Sequence, residues 1–189
     1  MNYPLIGLSG LKRSGKDTVA SILGSNYGFT RLAFADKLRE ALLMLNPFVV
    51  DTDAHMYAPL QNLVDTWGWE GLKTIHWYPE IRRLLQRGGT EMGRNTISPE
   101  VWVSPIMQQY ALLNQGKVRV VISDVRFSNE AAAIKHHGGI VIEVRRDRTE
   151  SPDAHSSEII DFDPDLVLDN NSTLEDLECQ VDRIMNNGI

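Results

Sequence analysis

Apolar residues along this chain come in two textures. Short, continuous runs alternate with longer stretches in which Leu, Ile and Val recur every three or four positions. Pro4–Ser9 (PLIGLS), Thr30–Ala35 and Arg119–Ser123 (RVVIS) are runs of the first kind, as are Ile140–Val144 and Leu166–Leu168. Each reads as a buried strand. Stretches of the second kind place Val19, Ile22 and Leu23 on one helical face, ending at Tyr27–Gly28. Leu38, Leu42, Leu43 and Leu45 form another, with Asp36 expected as its cap and Pro47 as its stop. Trp102, Ile106, Tyr110 and Leu113 follow in a helix beginning at Pro99. A further helix starts at Ser128 or Asn129 and ends at Gly138-Gly139, and Leu174, Leu177, Val181 and Ile184 mark the last. Residues 47–79 hold three of the four tryptophans without a clean period; a helix is expected around Leu60–Trp67 and loop elsewhere. Residues 80–94 bury Ile81, Leu84 and Leu85, with Gly88-Gly89 ending or bending that helix.

Continuously apolar strands separated by helices imply a parallel sheet covered on both faces. Ligands bind such sheets beyond the carboxyl ends of the strands. Ser9–Gly10, Ala35–Asp36, Asp124 and Arg145–Arg146 all fall at such ends, so one site is expected to collect them.

The first of these ends carries the densest signal. GLKRSGKDT (residues 10–18) follows a strand, opens a helix and matches G-x-x-x-x-G-K, a loop that cradles nucleotide phosphates. Lys16 is placed to reach the phosphates, and Lys12 and Arg13 add two cations beside it. The usual hydroxyl residue after the lysine is replaced by Asp17, and Thr18 brings the hydroxyl one residue later. Asp17 has two readings: it positions magnesium, directly or through water, or it complements the helix dipole.

Arg82, Arg83, Arg87 and Arg94 fall within thirteen residues, interleaved with Gln86. Such a group suits an acceptor phosphate, whereas any one arginine alone suits an exposed helix face. Asp124 ends RVVIS, from where it reaches a metal or the acceptor, or simply caps the helix Phe127–His137; Arg126 lies two residues on, with Asn129 and Glu130 on the next turn. RRDRTESPDAHSSE (145–158) reads as a cationic lid or as a plain loop, with His155 a lid or base contact. A phosphate acceptor is already anionic near neutral pH, so no catalytic base is required. His136 and His137 sit at a helix end and are not expected to bind metal, and Cys179 is expected to pack in the interior.

Composition narrows the classes. The chain has 189 residues, 42% hydrophobic and 23% charged, which fits one globular domain. No apolar run reaches the ~20 residues of a membrane span. The start, MNYPLIGLSG, lacks the layout of a secretory signal. The lone cysteine fits a reducing, cytoplasmic setting. Residues 1–146 carry 17 Lys and Arg against 13 Asp and Glu, and residues 147–189 carry 2 against 12. A mildly cationic body with an acidic tail has no basic stripe for nucleic acid and suits a small polyanion.

In order and spacing, SGLKRSGKDTVA, RRLLQRGGTEMGR, SDVRFSNEA and VRRDRTESPDAHSSE resemble the bacteriophage deoxynucleoside monophosphate kinases. The resemblance spans nearly the whole chain and is weakest in residues 47–79. It implies an α/β P-loop fold, a three-layer α/β/α sandwich with about five parallel strands. A helical acceptor region over 36–97 and a lid over 146–162 would complete a single kinase domain. It implies an ATP- and magnesium-dependent transfer of the γ-phosphoryl to a deoxynucleoside monophosphate. By position, Arg13, Ser14, Gly15, Lys16, Asp17 and Thr18 would hold ATP, with Asp17 and Thr18 at the metal. Lys12 would contact the transferring phosphoryl. Lys37, Arg82, Arg83, Gln86 and Arg94 would bind the acceptor together with Asp124, Arg126, Asn129, Glu130 and His155. Arg146 would clamp phosphates and Asn170 would lie by the adenine. Another P-loop small-molecule kinase, acting on dephospho-coenzyme A or phosphomevalonate, is the alternative within enzymes; a non-catalytic nucleotide-binding regulator is the alternative outside them. The oligomeric state stays open, a homodimer among the options.

Overall fold

The computed structural model describes residues 4–51, 53–147 and 160–187. They fall into two compact units, Met1–Phe34 with Val103–Ile189, and Ala35–Trp102.

The first unit is built on a five-stranded sheet in the order β2-β5-β1-β6-β7. Its strands are β1 (Leu5–Ser9), β2 (Thr30–Leu32), β5 (Val120–Ile122), β6 (Ile140–Arg145) and β7 (Leu166–Asp169). Every neighbouring pair is parallel, with Ile6 opposite Val121 on one side and Ile140 on the other. Residues of one strand point alternately to opposite faces. Ile6, Leu8, Val121, Ile140, Ile142 and Val144 therefore pack under α1 (Lys16–Tyr27) and α7 (Leu174–Asn187), through Val19, Leu23, Leu177 and Val181. Leu5, Val120, Ile122 and Val141 pack on the other face under α5 (Val103–Gln115) and α6 (Ser128–His136), through Ile106, Tyr110 and Ile134. Three layers result, and burial on both faces is why β1, β5 and most of β6 read as unbroken apolar runs; the edge strands β2 and β7, expected to be buried, keep exposed positions at Thr30 and Arg31 and at Val167 and Asp169.

The second unit is mainly helical. Most of α2 (Phe34–Leu45) leads into an antiparallel hairpin of β3 (Phe48–Asp51) and β4 (Met56–Pro59). Then come α3 (Leu60–Gly71), a single 3₁₀ turn at Leu72–Thr74, and α4 (Tyr78–Gln86). Leu38, Leu42, Val49, Leu60, Leu72, Trp77, Ile81 and Trp102 form its core.

Several expectations change. β2 stops at Leu32 because the chain is already helical at Phe34. The hairpin replaces the loop expected after Pro47, while the helix expected around Leu60–Trp67 is present. Gly88-Gly89 does not end α4: the chain widens into a π-helical stretch, Arg87–Ile97. Both glycines are buried there, and a Cβ at Gly89 would lie 2.9 Å from Leu38 Cδ2. Trp102 precedes α5 rather than joining it, and its indole N–H donates to the Gly89 carbonyl at 2.9 Å. Cys179 is exposed on α7, not packed inside.

Candidate nucleotide site at the carboxyl edge of the sheet

Because all five strands run parallel, their carboxyl ends share one edge. β1 hands on to the loop Gly10–Gly15 at that edge, and α1 begins at Lys16. Gly10, Arg13 and Gly15 have φ of 137°, 62° and 107°. For Arg13, a side chain in the left-handed region is strained, and such strain clusters at functional loops. Backbone N–H groups in a loop of this kind, leading into a helix start, form a concavity suited to an anion, and the loop is tightened by the Ser14 N–H donating to the Leu11 carbonyl at 3.1 Å.

The loop is braced from its neighbours. Asn170, in the turn after β7, donates its side-chain N–H to the Ser14 carbonyl at 2.7 Å. Its own backbone N–H donates to the Arg145 carbonyl at 2.7 Å. A Cβ at Gly15 would come within 2.3 Å of Asn170 Nδ2, and one at Gly10 within 2.4 Å of the Val144 carbonyl oxygen. Only glycine fits at either position. Ser14 Oγ is buried with no hydrogen-bond partner among the described residues. An orphaned hydroxyl in a cradle of backbone amides fits a polyphosphate. Lys16 folds over the loop, donating to the carbonyls of Gly10 at 2.6 Å and Leu11 at 2.7 Å. Lys12 and Arg13 are exposed beside it.

Asp17 and Thr18 are exposed in the first turn of α1. Together they offer a carboxylate and a hydroxyl next to this concavity, a hard-oxygen set that fits magnesium. No cluster of three or more His, Cys, Asp or Glu suited to a metal occurs among the described residues. A metal here would therefore draw most of its ligands from phosphates and water. Asp17 Oδ1 also accepts from Arg31 Nη2 at 2.7 Å, and Arg31 Nε donates to Ser123 Oγ at 2.8 Å. Arg31, on β2, carries no motif and was missed by sequence reasoning; only its place one residue before the end of a strand hints at it.

Asp124 follows β5. Its Oδ1 accepts from the Phe34 backbone N–H at 2.8 Å, so it caps α2, the task expected of Asp36. Asp36 instead lies within the first turn and pairs with Arg39 at 3.3 Å. Glu130 is 2% exposed, and its Oε2 accepts from the backbone N–H groups of Arg126 at 2.7 Å and Phe127 at 3.2 Å. Glu130, rather than Ser128 or Asn129, thus closes the amino end of α6, and it fixes the turn that presents Arg126. The Arg126 side chain is exposed and has no ion-pair partner among the described residues.

At the end of β6, Arg145 pairs with Glu143 at 2.7 Å, which raises its already high pKa. Arg146 beyond it is exposed. His155 and most of the expected lid lie outside the described residues. His137 sits at the end of α6 with Nδ1 2.9 Å from the Ala133 carbonyl. Asn129 is half-buried on α6.

The remaining candidates belong to the helical unit. Arg83 forms a two-point ion pair with Glu80, at 2.6 Å and 2.5 Å, which lowers the Glu80 carboxyl pKa. Arg87 pairs with Glu91 at 3.2 Å and Lys37 with Glu40 at 2.7 Å. Arg94 donates to the Pro99 carbonyl at 3.2 Å. Arg82 and Gln86 are half-buried on α4, and Arg82 has no ion-pair partner among the described residues.

The family described as "Deoxynucleotide monophosphate kinase" matches residues 4–73 and 73–181 of the chain. A protein of Acanthamoeba polyphaga mimivirus, provisionally named deoxynucleotide monophosphate kinase, is 34% identical, with 94% of this chain and 93% of that protein covered. The deoxynucleotide monophosphate kinase of Enterobacteria phage T4 is 27% identical, with 92% and 95% covered. Among solved structures, a dephospho-CoA kinase from Campylobacter jejuni superposes with a TM-score of 0.54 at 14% identity, covering 98% of this chain and 99% of that one. At that identity the likeness speaks for the P-loop kinase fold alone.

Proposed function

The chain belongs to the deoxynucleotide monophosphate kinase family, a family of phosphotransferases, and on that premise we propose that it moves the γ-phosphoryl of ATP to a deoxynucleoside monophosphate. The product is the diphosphate, a precursor for DNA synthesis, and the setting is the cytoplasm. The observation that carries the reading is the loop itself. Gly10 and Gly15 tolerate no side chain, Ser14 Oγ is buried without a partner among the described residues, and Lys16 lies across the carbonyl oxygens of Gly10 and Leu11.

In this reading the backbone of Arg13–Lys16 and the start of α1 hold the β- and γ-phosphates. Lys16 exchanges carbonyl oxygens for phosphate oxygens. Lys12 and Arg13 face the charge that spreads over the transferring phosphoryl, where a fixed cation lowers the barrier most. Thr18 and Asp17 would hold magnesium, Asp17 directly or through water, and the ion would supply charge neutralisation to the phosphates. Arg126 and Arg146 clamp phosphates. Asp124 and Asn129 shape the acceptor's surroundings, and Glu130 acts through the Arg126 turn. Asn170 braces the loop beside the adenine.

The acceptor is bound by the helical unit through Lys37, Arg82, Arg83, Gln86 and Arg94, and His155 with the 146–162 lid contributes over the nucleotides. An acceptor phosphate, with a second pKa near ~6, attacks as the anion, so no residue is needed as base.

The test is a panel of acceptors supplied with ATP: the deoxynucleoside monophosphates one by one, with ribonucleotides and dephospho-coenzyme A as controls. At least one deoxynucleotide should be converted to its diphosphate well above the controls. No turnover of any deoxynucleotide sinks the proposal.

A further inference from the structure

The geometry points to Arg31 as a resident counter-ion of Asp17 that competes with the divalent metal, so that metal affinity at the phosphate loop is set partly from β2. It deepens the reading above and rests on Asp17 being a metal-holding residue.

Three observations meet at this side chain. Asp17 stands where the loop pattern ordinarily places the metal's hydroxyl ligand. Its Oδ1 is held by Arg31 Nη2 at 2.7 Å, although both side chains are largely exposed, at 72% and 54%. The guanidinium is not left to wander: Arg31 Nε donates at 2.8 Å to Ser123 Oγ, on a residue only 3% exposed that immediately precedes Asp124. A planar, forked guanidinium presents its donors in fixed directions, so that one fixes the other's aim.

A carboxylate placed beside a polyphosphate repels it unless a cation intervenes. Here a cation is already built in. When a divalent ion approaches the same carboxylate, it meets Arg31 as a like charge, and Coulomb repulsion on a divalent ion is twice that on a monovalent one at equal distance. Arg31 also orders Asp17, which helps metal binding, but aspartate has a short side chain with little rotamer entropy to lose. Repulsion is the larger effect. Removing the Arg31 charge should therefore tighten the metal, against the ordinary expectation that losing an ordered contact at a site weakens it.

The experiment measures ATP affinity by titration calorimetry with excess magnesium and again with chelator; the ratio is the metal linkage. Asp17→Asn should reduce it at least fivefold. Arg31→Met, which keeps the apolar stem, should raise it at least threefold; Arg31→Gln supplies the same reading if the Met variant folds poorly. The double variant should lie within twofold of Asp17→Asn, because the arginine acts through that carboxylate. An unchanged or reduced linkage in Arg31→Met, with Asp17→Asn still reduced, overturns the inference while leaving the metal role of Asp17 standing. An equal rise in the Asp17→Asn background also overturns it. If Asp17→Asn leaves the ratio unchanged, the metal role itself fails and the inference falls with it.

Discussion

The side-chain amide of Asn170 donates to the carbonyl oxygen of Ser14 at 2.7 Å, joining the turn after β7 to the phosphate loop across 156 positions of sequence. The bond fixes the Ser14 carbonyl against a neighbouring turn, while the Ser14 N–H donates within the loop to the Leu11 carbonyl at 3.1 Å. Asn170→Ala leaves that carbonyl unpaired. ATP binding should weaken about tenfold, equivalent to about 1.4 kcal/mol. Folding stability should fall by ~1 kcal/mol, the usual worth of one such bond. Calorimetric titration and denaturant unfolding measure the two. An unchanged ATP affinity would remove Asn170 from the loop's support.

Glu130 and Arg126 separate positioning from contact. Arg126→Ala should lower turnover about a hundredfold while ATP affinity stays within twofold, since a cation acting on transferring charge works at the barrier. Glu130→Ala removes the acceptor of two part-buried backbone N–H groups, which should cost about 1–2 kcal/mol of stability and lower turnover by the same route. In the Arg126→Ala background Glu130→Ala should still destabilise yet lower turnover little further. Fully additive losses in turnover would show that Glu130 acts elsewhere.

Gly93 tests the helical unit by itself. A Cβ there would lie 2.6 Å from Trp102 Nε1, on a buried indole already committed to the Gly89 carbonyl. Gly93→Ala should destabilise by about 1–3 kcal/mol through overpacking and shift tryptophan fluorescence. Unaltered unfolding and fluorescence would contradict this packing.

Tyr27 offers a pH reading. Its hydroxyl donates to Asp182 at 2.5 Å, and that bond, then burial, then the Asp182 charge raise its pKa from 10.0 to about 12. A phenol with a raised folded-state pKa contributes stability that is fully present below the unfolded value of 10.0 and lost as pH climbs toward about 12. Wild type should thus lose stability over that window relative to Tyr27→Phe, and tyrosinate absorbance should show one late-titrating group that the variant lacks. Parallel curves for the two proteins would refute the Tyr27–Asp182 bond.

What was legible in the sequence was local. G-x-x-x-x-G-K after an apolar run is a contiguous pattern, and Gly28 as the stop of α1 is visible as an αL cap at φ 68°. Strands buried on both faces announce themselves by unbroken apolar runs. The partnerships were not legible, because they join distant residues: Asp124 with Phe34 across 90 positions, Arg31 with Ser123 across 92. As a cap, Asp124 points to the helix over 127–137, but it caps α2 instead. The β3–β4 hairpin was missed because its strands are four residues each and its buried positions are few, Val49 and Asp51 on β3. A signal existed: Asp51 accepts from the N–H groups of Asp53 and Ala54, a turn that DTDA spells. The π-helical stretch has no sequence signature of its own; it follows from fitting Gly88, Gly89 and Gly93 against Leu38 and Trp102.

The most direct measurement follows the label from γ-labelled ATP into nucleotide product, using wild type and Lys16→Ala with each deoxynucleoside monophosphate. The label should appear in a deoxynucleoside diphosphate with wild type and fall at least a hundredfold with Lys16→Ala, which loses the cation on the transferring phosphoryl. Label that never enters a deoxynucleotide, or that enters it equally with Lys16→Ala, would contradict the account.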